Sequence, residues 1–332
     1  MKKSKRMIAI ALSALMMSFG FAGCGGSTDY TASNSKAEEG KVYNIGICQL
    51  VQHNALDAAT KGFRDALTEK LGEDNVKFDE QNAQGDSQNC TTICNQFVSS
   101  NVDLILGNGT GALQAAATAT PNIPILGTSI THYGTALDIK DWKGYTEMNV
   151  SGTSDLAPLD EQADVLHELF PDAKKVGIIY CSAEANSKYQ ADTITPSLEK
   201  YGYEVKIYTF ADTNDVAAVT QTACDDSDVL YIPTDNTAAS NTGIIDNIAL
   251  AAKKPIVTGE EGICDGCGVA TLSISYYELG KKTGEMAYDV LVNGKDVSKM
   301  EISYAPTTKK YDADRCKELG VKIPDGYTAI EK

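Results

Sequence analysis

From Lys41 onward, short apolar runs alternate with longer amphipathic ones. Residues 42–50, 76–82, 102–107 and 123–127 read as strands, and 55–71, 87–99 and 111–119 as helices between them. The strand segments are rich in Ile, Val and Leu with little alternation, the pattern of a parallel sheet buried on both faces. The helices then serve as right-handed crossovers. A second series follows, with strands at 175–180, 204–210, 229–232 and 255–258 and helices at 184–201, 215–224 and 236–252. The series match in order and partly in sequence. Asn44-Ile-Gly-Ile-Cys48 parallels Lys175-Val-Gly-Ile-Ile179, and Ile123-Pro-Ile-Leu126 parallels Lys254-Pro-Ile-Val257. Two similar Rossmann-like α/β lobes are predicted. The polar segment 144–154 reads as a hinge strand. After 269–274 a helix at 276–292, a segment at 300–304 and a helix near 313–319 suggest that the chain recrosses between the lobes.

The N-terminus has a different pattern. Basic residues at 2–6 precede an apolar run from Met7 to Phe21, then Ala22-Gly23-Cys24. The run is too short to be a stable spanning helix and reads as an export signal. Small residues before a cysteine resemble the lipobox of bacterial lipoproteins, which implies cleavage before Cys24 and a lipid on its sulfur. A plain secretory signal is the alternative. Residues 24–40 are Gly/Ser/Thr/Asn-rich without an apolar period and read as a flexible tether. No later stretch is long and apolar enough to span a bilayer.

The length of 332 residues suits two domains. The net charge is −16, and loss of the signal removes four basic and no acidic residues. Nucleic acid is therefore not an expected partner, because there is no excess of cations to displace counterions from phosphates. Only three Arg and three His occur, which argues against arginine clamps on phosphate and against multi-His metal sites. Neither a metal nor a cofactor is expected. No Gly-x-Ser-x-Gly elbow, His-Glu-x-x-His or phosphate-cradling glycine loop appears, so the chain is not expected to be an enzyme.

Eight cysteines follow Cys24. Export permits disulfides. Cys264-Asp-Gly-Cys267 is the pair best placed to close, across an Asp-Gly turn. Free thiols and half a metal site are the alternatives. Cys90 and Cys94 lie four apart on a predicted helix, and Cys48 falls in an apolar strand.

Ligands of open parallel sheets sit beyond the carboxyl ends of the strands. That rule selects 49–54, 82–87, 108–111, 128–131, 182–187, 234–237 and 260–261, which are rich in Ser, Thr, Asn, Asp and Gln. The candidate ligand-binding residues are Gln49, His53, Thr110, Ser129, Thr153, Ser154, Glu184, Asn186, Asp235, Asn236 and Glu260. Hydroxyls and backbone N–H groups at helix starts can bind a carboxylate without arginine, as at Thr110 and at Thr153/Ser154. Asp235 first and Glu184 second are the acids chosen to face an ammonium, which makes a zwitterion site. Helix capping is the competing role for Asp235, Asn236, Ser154 and Thr110. Tyr133, Tyr145 and Tyr180 are candidates to stack on an aromatic ligand.

These features together resemble the type I periplasmic binding proteins, and in particular the substrate-binding lipoproteins of ABC transporters in the tryptophan/tyrosine-binding family. The resemblance is carried by Ile45-Gly-Ile-Cys-Gln49 with His53, Leu56 and Asp57; Gly152-Thr-Ser-Asp155; Glu184, Asn186 and Ser187; Pro233-Thr-Asp-Asn-Thr237; Thr258-Gly-Glu-Glu261; and Tyr276-Tyr-Glu-Leu-Gly280. It covers nearly the whole chain after the signal. Thr128-Ser-Ile-Thr131 lacks the Asp-Pro often found there. The resemblance implies two hinge-linked lobes with three crossovers. Residues 1–23 would be signal and 24–40 tether. Residues 41–149 with 275–299 would form the N-terminal lobe, and 150–274 with 300–332 the C-terminal lobe. It implies an outward-facing, lipid-anchored monomer that delivers a small ligand, foremost an aromatic amino acid, to a permease driven by a cytoplasmic ATPase. A sugar or nucleoside ligand, and a surface sensor or adhesin using the same cleft, are the alternatives.

Overall fold

The computed structural model describes residues 40–331. The expected signal peptide, the lipidated Cys24 and the tether, save Gly40, lie outside the described residues. The first lobe begins β1 (Tyr43–Gln49), α1 (Asn54–Leu71), β2 (Val76–Asn82), α2 (Ser87–Ser99), β3 (Leu104–Asn108) and α3 (Thr110–Ala119). It continues with β4 (Ile125–Ile130), α4 (Tyr133–Ala136) and β5 (Val150–Ser154). The second lobe runs α5 (Leu159–Leu169), β6 (Lys175–Cys181), α6 (Ala185–Lys200), β7 (Glu204–Phe210), α7 (Val216–Asp226) and β8 (Val229–Ile232). It then runs through α8 (Asn236–Ala239), α9 (Thr242–Ala251), β9 (Ile256–Thr258), α10 (Glu261–Cys267) and β10 (Ala270–Ser273). The chain returns with α11 (Tyr276–Leu291) and β11 (Ser303–Tyr304), then ends in β12 (Thr308–Tyr311), α12 (Ala313–Leu319) and β13 (Thr328–Ala329).

Two sheets result, in the orders β11-β5-β4-β3-β1-β2 and β13-β12-β10-β9-β8-β6-β7. Every pairing is parallel except β10 with β12. The central strands are buried on both faces. Ile45, Ile47, Leu104, Ile105 and Leu106 are buried in one sheet, and Val176, Ile178, Ile179, Val229 and Leu230 in the other. Each sheet therefore has two apolar layers, one under each set of helices.

The chain crosses three times, after β5, after β10 and after β11. The first and third crossings lie later than the expected boundaries. β5 pairs with β4, so 150–154 belongs to the first lobe's sheet, and β11 pairs with β5 there too. The segment is polar, but its polar atoms are satisfied inside the lobe. Ser151 Oγ donates to Met300 O at 2.9 Å, and Thr153 Oγ1 lies 2.8 Å from Thr283 Oγ1 of α11. α11 packs back on α1 at very close range. A Cβ on Gly280 would stand 2.0 Å from Ala59 O, so only glycine permits that approach.

Three local features also differ from expectation. The helix expected over 236–252 breaks at Ser240 and Asn241 into α8 and α9. Cys264-Asp-Gly-Cys267 is a helical stretch of α10 and not a turn. Its two thiols are unjoined, as are all eight cysteines among the described residues, and all eight are buried. No helix among the described residues is long and apolar enough to cross a membrane.

Candidate functional site

The carboxyl ends of β1, β2, β3, β6, β7 and β8 converge on one cleft between the lobes, with a cavity volume of about 480 Å³. Four helix starts meet there. Asp86 caps α2, its carboxylate accepting from Gln88 N and Asn89 N. α3 follows Gly109, which has φ of +96° and brings no side chain to its first-turn N–H groups. Thr110 and Gly111, the first residues of α3, line the cleft, and no side chain caps this helix start. α6 follows Glu184, and α8 follows Asp235. The apolar wall is Leu50, Val51, Ala183, Ala185 and Ala211 with Cys181. Asp86, Glu184 and Asp212 line the cleft, and no Lys or Arg among the described residues does.

Beyond Asn236 lies a small chamber of about 10 Å³, room for one water-sized group. It is lined from the first lobe by His53 and Leu56, and from the second by Thr234, Asp235, Asn236, Ala239 and Glu260. Asp155 from the first crossing and Tyr276 from the second complete it. His53 Nε2 lies 3.3 Å from Asn236 Oδ1, a contact between the lobes. Burial lowers the His53 pKa against the pull of Asn236 and of the Glu184 and Asp57 charges.

Three buried carboxyls surround this chamber. Burial pushes Asp235 up to about 7, helped by the Glu184 charge. It pushes Glu260 up to about 7 and Asp155 up to about 6. Their hydrogen bonding separates them. Asp235 Oδ1 accepts from Ala238 N at 2.7 Å and Oδ2 from Cys181 N at 2.7 Å. Glu260 accepts from Gly262 N and Ile263 N. Both Glu184 oxygens are engaged by the backbone and side chains of Asn236 and Thr237. Asp155 Oδ2 accepts from Tyr276 OH at 3.0 Å and Oδ1 has no hydrogen bond within 3.5 Å, while Tyr276 and the nearby Thr131 hydroxyl pull against the rise in the Asp155 pKa.

The candidate residues therefore divide. Thr110, Glu184, Asn186 and Asn236 line the cleft, and His53, Asp235 and Glu260 line the chamber with Asn236. Gln49, Ser129, Thr153 and Ser154 line neither. Gln49 is tied to Val51 O, Asp57 and Thr60 inside the first lobe. Thr153 turns to α11, and Ser154 Oγ braces the first crossing between Thr131 O and Leu156 N. Ser129 sits at the irregular end of β4 with φ of +57° and an unpaired hydroxyl. None of Tyr133, Tyr145 and Tyr180 lines the cleft. Tyr133 is core, its hydroxyl donating to Thr153 O. Sequence reasoning passed over Asp155 and Tyr276 as ligand residues, because Ser154-Asp155 reads as a helix cap and Tyr276 as the start of an amphipathic helix.

The model of the ABC transporter substrate binding protein family matches residues 44–329. The chain belongs to that family. It is an extracytoplasmic solute-binding protein of the ABC-importer class, and the class is non-catalytic. The substrate-binding protein is 37% identical over 313 residues to the tyrosine-binding protein of Clostridioides difficile, covering 93% of this chain and 90% of that one. Its structure is similar to the ABC domain in complex with L-Trp from Streptococcus pneumonia. The TM-score is 0.83 at 30% identity, covering 87% of this chain and all of that one. It is also similar to the ligand-free, open structure of a substrate-binding protein with adhesive properties from Clostridium difficile. There the TM-score is 0.67 at 37% identity, covering 87% and 99%. The better fit goes to the complex despite its lower identity. Within this chain His53 of the first lobe meets Asn236 of the second across the cleft.

Proposed function

We propose that this substrate-binding protein captures an aromatic amino acid, tyrosine or tryptophan, as a zwitterion in the inter-lobe cleft and presents it to an ABC permease. The observation that carries the reading is the pairing, in one cleft without a basic side chain, of the uncapped α3 start at Thr110 with an acidic opposite side. Helix-start N–H groups suit a carboxylate, and the negative field of the acids around the cleft favours an ammonium nearby. The cavity volume of about 480 Å³ lies in the range of small-molecule sites. The wall of Leu50, Val51 and small residues can take a flat ring. The ligands of the two relatives, tyrosine and L-Trp, agree with this chemistry. Thr110, Asn186, Glu184 and Asn236 are assigned to the cleft part of the site, with His53, Asp235 and Glu260 beneath it. Cys24 carries the lipid anchor, residues 24–40 form the tether, and the protein acts as a monomer.

A thermal-shift screen against amino acids, sugars and nucleosides tests the reading. A ligand at a hundred times its dissociation constant adds about 2.7 kcal/mol to stability. A raised midpoint with tyrosine or tryptophan supports the proposal. A shift with sugars or nucleosides alone removes the zwitterion assignment and leaves the family role intact.

A further inference from the structure

The ammonium end of the ligand needs an acceptor, and the acids that face the site are not equivalent. Asp235, Glu260 and Glu184 each accept on both oxygens from groups of the second lobe, at the starts of α8 and α10 and, for Asp235 Oδ2, at the end of β6. Glu184 accepts four hydrogen bonds from Asn236 and Thr237 and is filled, while Asp235 and Glu260 accept two each, one per oxygen, which ties both oxygens to the second lobe's backbone. Asp155 differs. It is only 4% exposed, and its Oδ1 makes no hydrogen bond. A buried acceptor without a donor has its desolvation uncompensated, so such an atom favours a partner.

We propose that Asp155 is the residue that takes the ammonium group of the amino-acid ligand, in the chamber at the inner end of the cleft, with Tyr276 as its positioning residue. The inference rests on the amino-acid reading above and names the atom that distinguishes an amino acid from other aromatic acids. Three features of the geometry support it.

First, the chamber holds one water-sized group, which is the size of an ammonium. Second, it adjoins both the cleft and the carboxylate subsite. Asn236 lines cleft and chamber alike, and Leu56 of the chamber lies 3.7 Å from where a Cβ on Gly109 would stand, one residue before Thr110. Neighbouring subsites of opposite sign are what an α-amino acid requires. Third, Tyr276 OH holds Asp155 Oδ2 at 3.0 Å, which leaves Oδ1 as the atom for the incoming donor. Asn236 Oδ1, now 3.3 Å from His53 Nε2, supplies a second acceptor for the three ammonium protons. Asp155 stands on the first crossing and Tyr276 on the second, so a cation bound there also links the two hinge strands to residues of both lobes.

The test compares L-tyrosine and L-tryptophan with the same molecules lacking the amino group, 3-(4-hydroxyphenyl)propanoate and indole-3-propanoate, by calorimetry on the purified protein. The wild type is expected to prefer the amino acid by about 100-fold, the scale of a buried charge-assisted pair. Asp155→Asn is expected to shrink that preference to about 10-fold or less while binding the des-amino acids as before. Tyr276→Phe is expected to cut the preference part-way. Asp235→Asn is expected to keep it, whatever it does to overall affinity or to the thermal midpoint. An Asp155→Asn protein that retains the wild-type preference, or that weakens both ligands equally, overturns the assignment. A wild-type protein that binds neither amino acid overturns the functional reading itself, which is a different result.

Discussion

The His132 imidazole of the first lobe lies flat against the Tyr189 ring of the second, with centroids 4.4 Å apart and planes 2° from parallel. The stack continues inward, because Trp142 meets His132 edge-on at 5.7 Å and lies parallel to Tyr133 at 6.3 Å. His132 also caps α4, its Nδ1 accepting from Thr135 N at 3.1 Å. The His132–Tyr189 rung bridges the lobes outside the residues that line the cleft, and that rung exists only while the lobes are together. Aromatic pairs contribute about 0.5–1.5 kcal/mol beyond area burial. Tyr189→Ala is therefore expected to weaken ligand binding about 2- to 10-fold by favouring the open form. Trp142, the single tryptophan, is expected to change its emission on ligand addition in the wild type and less so in the variant. Equal affinity and equal emission change in both proteins would show that the stack has no part in closure.

The buried carboxyls give a pH dependence of definite sign. Asp155 stays protonated up to about pH 6 in the fold, whereas in the unfolded chain it ionises near pH 4. Between these values the folded protein holds the extra proton, so raising the pH removes stability. Asp235 and Glu260 act in the same sense up to about pH 7, while the lowered pKa values of His53 and His132 act in the opposite one. The contribution of Asp155 is isolated by difference. Relative to wild type, ligand-free Asp155→Asn is expected to have a higher thermal midpoint at pH 8 than at pH 5. A difference that is flat with pH would mean that Asp155 is ionised throughout.

Alkylation tests the thiols. All eight described cysteines are buried and unjoined. Intact mass after iodoacetamide in denaturant is expected to show eight added groups beyond Cys24, and almost none without denaturant. Two fewer groups, restored by a reductant, would reveal a disulfide, with Cys264 and Cys267 the first pair to examine.

Much of this was readable from the chain. β1 and β6 are near-continuous apolar runs, and the doubling of the series predicts two lobes correctly. What misled was polarity in places where the fold satisfies it internally. Val150-Ser-Gly-Thr-Ser154 has too few apolar residues to read as a sheet strand, yet all five residues are buried and the Ser151, Thr153 and Ser154 hydroxyls find partners in Met300, Thr283 and Thr131. Asp265-Gly266 suggests a turn, but the Glu260 cap starts a helix that runs through it. At the site, spacing alone ranks Asp235 first, because it follows a strand and faces a cleft. Its capping of Ala238 and its bond to Cys181 N occupy both oxygens, and pairing across 54 residues leaves no local trace. Asp155 has the reverse history, since it looks like a cap and instead keeps an oxygen free.

The return of α11 to the first lobe rests on close backbone contact. At Gly280 the added Cβ would stand 2.0 Å from Ala59 O, a backbone atom that cannot rotate away. Gly280→Ala is expected to cost about 1–3 kcal/mol by overpacking, seen as a lower thermal midpoint, without altering the order of ligand preference. A midpoint unchanged from wild type would mean that the two helices can separate freely.

The cleft is expected to hold one aromatic amino acid. Equilibrium titration of the purified protein with L-tyrosine and L-tryptophan by calorimetry tests it most directly. One molecule is expected to bind per chain, with no binding of glucose, galactose or adenosine at the same concentrations. Saturable binding of a sugar or nucleoside, with no heat from either amino acid, would contradict it.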